Sequence, residues 1–238
     1  MIPHYNEDYF FINTNVLEVE EQNDAMEYIR KDDIVLELGG RYGTVSTIIN
    51  NLLKNKENHV VIEPDLNVID ALRMNRENHG CKFEIFTGII TNKTKLKINH
   101  DGYGTYISDG SDGIDEIETI TYKNLCKKYN LSFNTLVVDC EGCFCDVLDS
   151  IGEDIVSFDK ILLELDQPNI CNYQIVEDKL SPNFYKLKSG FHSVYINKNF
   201  LSRKKNENDS VNYKILFGLF ILLIALFFIR MSLMPVPV

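Results

Sequence analysis

Three acidic residues stand where apolar runs stop. Glu37 lies inside Asp33-Ile-Val-Leu-Glu37-Leu-Gly39-Gly40-Arg-Tyr-Gly43, Glu63 closes His59-Val-Val-Ile-Glu63, and Asp139 closes Thr135-Leu-Val-Val-Asp139. Burying a carboxylate without a partner is costly, so an acid at the end of a buried strand is a candidate for binding or proton transfer. Glu37 and Glu63, at the ends of neighbouring strands, suit a ligand that carries an amino group and a ribose. The glycines between them supply a backbone turn that needs positive φ or no β-carbon, which lets a ligand lie against the main chain. A helix beginning after Gly43 would turn its free N–H groups toward that ligand. Tight packing of helix on strand is the other use such glycines have, at Gly40 above all. Asp139 is followed two residues later by Glu141 and then by Gly142, which lets the chain turn into the next helix.

These residues can meet only if the strands that carry them lie side by side. Apolar runs alternate with helical patterns from residue 34 onward, the pattern of parallel βαβ units. Strands are expected over 34–38, 60–63, 83–86, 136–139 and 161–165, and helices over 44–53, 66–78, 122–129 and 144–150. Residues 184–187 and 193–197 flank Lys188-Ser-Gly190-Phe and read as a hairpin, so the sheet is expected to end in an antiparallel strand. Residues 101–115, rich in glycine, serine and aspartate, read as a loop open to an acceptor. Their acid spacing is too irregular for an EF-hand. The expected architecture is α/β, a doubly wound Rossmann-like sheet, mostly parallel, with a C-terminal transmembrane helix. Residues 1–30 form an N-terminal extension, 31–200 the main domain, 201–214 a charged linker and 215–234 a membrane anchor.

The chain has 238 residues, 45 % of them hydrophobic, enough for one α/β domain with a large core. A formal net charge of −11 disfavours bulk nucleic-acid binding. The N-terminus has neither a basic start nor an apolar run, so no secretory signal is expected. Six cysteines without dense, regular spacing read as reduced thiols. Cys140-x-x-Cys143 lacks a second pair for a structural zinc site, and no metal is expected. Residues 215–229 contain no polar side chain and are bracketed by Lys214 and Arg230. As a helix they would extend about 22 Å against a hydrocarbon core of about 30 Å, short but within reach of snorkelling flanks and a thinned bilayer. Arg203, Lys204, Lys205 and Lys214 precede the run and only Arg230 follows it, which places the domain on the cytosolic side of the membrane.

Taken in order, Glu37-Leu-Gly39-Gly-Arg-Tyr-Gly43, Val61-Ile-Glu63-Pro64 and Val138-Asp139-Cys-Glu141-Gly142 resemble the FkbM family of S-adenosylmethionine-dependent methyltransferases, which have the class I Rossmann-like fold. Residues 117–125 and 161–165 are similar to the family's segments on either side of the third motif, so the resemblance spans residues 30–200. It implies S-adenosylmethionine as cofactor. Glu37 would stand near its methionine part, Gly39, Gly40 and Gly43 along it, Glu63 at the ribose, Thr87 and Gly88 beside the adenine, and Asp139 at the reacting centre as catalytic residue. The acceptor would be a hydroxyl on a small molecule, a glycan or a lipid-linked molecule. Phe144 departs from the family, many of whose members have a second acid there. That departure keeps open a membrane-tethered binding domain without catalysis. An NAD-dependent oxidoreductase is the other alternative, although Gly39-Gly40-x-x-Gly43 lacks the G-x-G-x-x-G form. Each acid also has a structural use: Glu141 could cap the following helix, and Glu164 could be an ordinary strand-end acid.

Overall fold

Seven segments form the central sheet, each drawn from an apolar stretch of the sequence. They are β1 (Val35–Leu38), β2 (His59–Glu63), β3 (Glu84–Thr87), β4 (Thr135–Val138), β5 (Lys160–Glu164), β6 (Phe184–Lys188) and β7 (His192–Asn197). In this computed structural model the described residues are 2–202 apart from 95, 102–103 and 109–114. The strand order is β6-β7-β5-β4-β1-β2-β3. Strands β1 to β5 run parallel, and the stretch from β3 to β5 follows the order of doubly wound nucleotide-binding sheets, in which ligands sit beyond the carboxyl ends where the order reverses. That reversal falls between β1 and β4.

The hairpin at the C-terminal end of the sheet forms as expected, but its antiparallel member is not the edge. Strand β7 inserts between β5 and β6, antiparallel to both. Strand β7 pairs with β5 on one side and with its hairpin partner β6 on the other, so the last strand in sequence takes the inner position and β6 the rim.

Among the described residues six α-helices cover the two faces: α1 (Val19–Tyr28), α2 (Thr44–Leu52), α3 (Ile69–Asn78), α4 (Tyr122–Tyr129), α5 (Phe144–Ile151) and α6 (Tyr173–Leu180). Thr121 starts α4 by accepting from the Asn124 N–H, and Asn172 starts α6 by accepting from Gln174 N–H. Leu36, Leu38, Leu136, Val138, Ile161 and Leu163 alternate onto one face, where Phe144, Val147, Leu148 and Ile151 of α5 pack on them. On the other face Val61 meets Leu72 and Phe83.

The N-terminal extension packs on the main domain, and one expectation, the loop over 101–115, needs correcting. Residues 1–30 are part of the same compact unit as the sheet, which spans Met1–Asn197. The Asn75 amide donates to the Tyr5 and Tyr42 carbonyls at 2.8 Å each, and Lys188 Nζ lies 2.8 Å from each carboxylate oxygen of Asp24 in α1. Residues 101–115 are not all loop, because Lys97–Asp101 and Gly104–Ser108 pair antiparallel. Thr105, Tyr106 and Ile107 have the branched and aromatic side chains that favour strands, and they outweigh the neighbouring glycines and aspartates. Residues 203–238, with most of the linker and the whole anchor, lie outside the described residues. Among the described residues no helix is long and apolar enough to cross a membrane.

His4 fixes the N-terminal segment to α2. It is 4 % exposed, and its Nε2 lies 3.1 Å from the Thr47 hydroxyl and 3.3 Å from the Gly43 carbonyl. Burial, and then the charge of His79 beside it, lower its pKa from 6.5 to about 4. A depressed histidine pKa means that the unfolded chain takes up the proton first. The stabilising contribution is therefore whole above about pH 6.5 and is lost as pH falls toward 4. The melting temperature of the wild type is expected to drop relative to His4→Gln across that window. A difference that stays constant with pH would show that His4 is not held neutral.

Candidate functional site

The carboxyl ends of β1, β2 and β4 surround a crevice whose space is about 720 Å³ counting its open mouth, lined among others by Gly39, Ile62, Glu63, Ile89, Asp139 and Cys143. Small-molecule pockets run to roughly 300–1,000 Å³. Gly39 makes the floor possible. Its φ is +88°, and a β-carbon there would lie 1.6 Å from the Asp139 carbonyl oxygen, so the glycine turn and the end of β4 touch backbone to backbone.

Glu63 is fixed from the turn itself. Its Oε2 accepts from the N–H groups of Gly40 at 3.1 Å and Arg41 at 2.7 Å, and its Oε1 accepts from the Asp65 N–H at 2.8 Å. Burial pushes its pKa up, and these three backbone donors oppose that shift. A carboxylate offers about four acceptor positions, so Oε1 retains one that can take a hydroxyl from the crevice.

Glu37 lies below the turn. Strand alternation turns its side chain toward α2, where Oε1 accepts from the Ser46 hydroxyl at 2.9 Å and Oε2 lies 2.7 Å from His59 Nε2. With Nδ1 of His59 facing the Asn50 amide, Nε2 carries the proton and donates to Glu37. Glu37 opens onto a second, smaller cavity behind the first, shared with Glu18, Glu21, Asp24, Gly39, Asp139, Glu164 and His192. Asp139 and Gly39 border both cavities. The three acids are thus at one rim of the sheet, with Glu63 and Asp139 in the crevice and Glu37 in the chamber behind it.

Asp139 and Glu164 lie side by side at the ends of β4 and β5, with carboxylate oxygens within 4.8 Å of each other. Burial, and then the closeness of Glu164 and the negative charge around it, lifts Asp139 well above the ordinary carboxylate range. Glu164 is raised as well, chiefly by burial. Asp166 accepts from the Gly142 N–H at 2.9 Å and from the Tyr173 hydroxyl at 2.8 Å. Carboxylate oxygens of Asp139, Glu164 and Asp166 lie within 4.8 Å of one another, and one ligand atom each from Glu21, Glu164 and His192 does the same. Such oxygen-rich sets suit a hard divalent cation if one binds.

The remaining expected site residues fall into two groups. Gly40 borders the rear chamber, yet its tightest neighbour is Val61, 2.3 Å from where a β-carbon would be. Gly43 begins α2 with φ +78° and packs on Leu72, outside both cavities. Thr87 closes β3 and Gly88 N–H donates to the Glu63 carbonyl, but Ile89 and Ile90 are the residues that face the crevice. Glu18 and Arg41 also line it and were not expected. Nothing in the local sequence marks Glu18, which reaches the rim because it precedes α1 and accepts a hydrogen bond from the Thr44 hydroxyl.

The cysteines also differ from expectation. Cys140 is bonded to Cys143 and Cys145 to Cys171, with Cα separations of 5.4 and 5.3 Å, while Cys81 and Cys126 are free. The sequence separations of 3 and 26 residues do not announce these pairs. Pairing depends on Cα distances that the turn after β4 and the loop before α6 create. Disulfides persist in oxidising surroundings, so the cysteines no longer favour the cytosolic side.

No protein family and no curated protein matches the sequence. Several solved structures have a similar shape. An O-methyltransferase from Bacillus cereus, in complex with SAH, aligns at 12 % identity and TM-score 0.46 over 78 % of this chain and 84 % of that one. An rRNA methylase from Streptococcus thermophilus aligns at 10 % identity and TM-score 0.43, over 75 % and 94 %. An uncharacterized protein from Listeria monocytogenes serotype 4b aligns at 12 % and 0.45, over 75 % and 67 %. At these values the likenesses carry no functional weight; the residues of the crevice do.

The contact at Gly39 can be tested against a glycine of the same handedness that touches nothing. Gly80 has φ +63° and no atom within 4 Å of a built β-carbon. Gly80→Ala is expected to cost about 1 kcal/mol in denaturant unfolding, from backbone conformation alone. Gly39→Ala should cost at least about 3 kcal/mol, or prevent folding. Equal costs would show that the turn and β4 do not touch.

Proposed function

We propose that this chain is an S-adenosylmethionine-dependent methyltransferase of the FkbM type that methylates a hydroxyl on a small molecule, glycan or lipid-linked acceptor. The observation that supports it most is the convergence of the Gly39 turn, Glu63 and Asp139 on one crevice. Glu63 keeps one acceptor position for a ribose hydroxyl. Gly39 leaves backbone where a side chain would exclude a ligand, and Ile62, Ile89 and Ile90 give an apolar wall for a base. When bound, the cofactor supplies an activated methyl group on a sulfonium. The protein's part is then alignment, exclusion of water and removal of the acceptor's proton. Asp139, ionised, accepts that proton, and Glu164 beside it raises its basicity.

Both alternatives, an NAD-dependent dehydrogenase and a non-catalytic binding domain, leave the neighbouring carboxyls of Asp139 and Glu164 without a role. Titration calorimetry on the purified chain is expected to give heat with S-adenosylmethionine and none with NAD. Binding of NAD alone would reverse the assignment, and binding of neither would support the non-catalytic reading. With a methyl-labelled cofactor and an acceptor found by fractionation, Asp139→Asn should lower kcat by about 10²–10⁴-fold. Because Asp139 titrates above the usual carboxylate range, activity should fall as pH drops through that raised value. Glu164→Gln, which removes the neighbouring charge, should move the acid limb to lower pH.

The tether belongs to the same proposal. Residues 215–229 would insert in a membrane, with the charge asymmetry favouring a cytosolic domain. A chain ending at Leu201 should leave the membrane fraction and keep the cofactor affinity of the full chain. Retention of the shortened chain in that fraction would dismiss the tether.

A further inference from the structure

The Cys140–Cys143 bond closes a tight turn in the wall of the crevice. Cys140 follows Asp139 directly, Cys143 precedes the first residue of α5, and both cysteines are half-buried and face the cavity. The Cys143 N–H donates to the Cys140 carbonyl at 3.1 Å. Both central residues are left-handed, Glu141 at φ 52° and Gly142 at φ 82°. Glycine accepts this freely, whereas glutamate is disfavoured there by roughly tenfold in population. The turn is held on its far side by the Gly142 N–H donating to Asp166 and by the Gln167 amide donating to Glu141 at 3.0 Å. A covalent link therefore holds an unfavourable turn at the place where Asp139, Glu141 and Cys143 meet the ligand space. The second disulfide differs at Cys171, which is fully buried, while its half-buried partner Cys145 lies outside the crevice wall.

We infer that Cys140–Cys143 is a redox-active disulfide, opened by a dithiol reductant ahead of Cys145–Cys171, and that opening it loosens the crevice wall. The loosened wall weakens cofactor binding, a consequence that rests on the methyltransferase reading. A thiolate of the reductant attacks the Cys140 sulfur, and the S–S bond breaks with its electron pair leaving on Cys143. Cys143 is the better leaving group, since the free N–H groups at the start of α5 stabilise its thiolate. The reductant's second thiolate then displaces Cys140 from the mixed disulfide. The reductant ends as an intramolecular disulfide, two electrons have passed to the protein, and its two cysteines take up two protons. Freed from the link, Glu141 leaves the left-handed region, and the Gly142 amide loses its fixed partner.

The test uses the full chain with Cys81 and Cys126 blocked beforehand. Titration with dithiothreitol, quenched by alkylation and read by mass spectrometry, should label Cys140 and Cys143 before Cys145 and Cys171. Hydrogen exchange at residues 141–143 should quicken by about tenfold or more in the partly reduced protein. The Kd for S-adenosylmethionine should rise by about fivefold to tenfold, the population penalty of the released turn. In Glu141→Gly, whose turn needs no link, oxidised and reduced affinities should agree within about twofold. Opening of Cys145–Cys171 first, or unchanged exchange at 141–143, overturns the inference. If the cofactor binds neither form, the methyltransferase reading and the affinity effect fall together, while labelling order and exchange still decide the redox-active turn.

Discussion

The contact between the Gly39 turn and the Asp139 carbonyl sets the geometry of everything around it. Strands β1 and β4 are neighbours in the sheet, and both must end at a common rim for their terminal residues to face one space. A β-carbon at position 39 would lie 1.6 Å from that carbonyl, inside any tolerable contact. Only glycine lets the two chain reversals interlock. From that contact follow the position of Asp139 in the crevice lining and the direction in which the chain leaves toward Cys140.

Around this contact, one type of side chain is sorted into three roles by its surroundings. Glu37 is buried against Ser46 and His59, its oxygens occupied by donors that tie β1 to α2 and β2. Glu63 binds the turn through backbone donors and keeps one oxygen partly available. Asp139 and Glu164 face each other instead, and burial together with neighbouring negative charge holds both above the ordinary carboxylate range. The first arrangement stabilises the sheet, the second shapes a binding site, and the third stores a group able to take a proton. Chemistry is expected where the carboxyl groups are satisfied least.

The crevice is completed by segments remote in sequence. Glu18 reaches it from the segment before α1, and Cys140 and Cys143 harden its wall by a covalent link within one turn. Lys160, buried with its ammonium 2.6 Å from Asp33 and donating to the Tyr28 carbonyl, ties the start of β5 to the end of α1. Breaking such a buried pair by removing one partner leaves an uncompensated charge, so the N-terminal segment is bound to the sheet by more than apolar contact.

Much of the fold was legible in the sequence, because alternation, strand-end acids and turn glycines are local signals. The central strands and helices 44–52, 69–78, 122–129 and 144–151 lie within three residues of the expected ranges. Glu63, Asp139 and Gly39 stand at one crevice, whereas Glu37, expected beside them, does not line it. What the sequence could not express were relations between distant residues. The inner place of β7, the disulfide pairs, the entry of Glu18 into the site and the retreat of Glu37 beneath the turn all depend on which surfaces meet after folding. Gly43 and Gly40 show the limit most plainly: a glycine freed for ligand approach and one freed for packing look identical in a sequence. Leu72 and Val61, brought against them by the helices and the sheet, decide which is which.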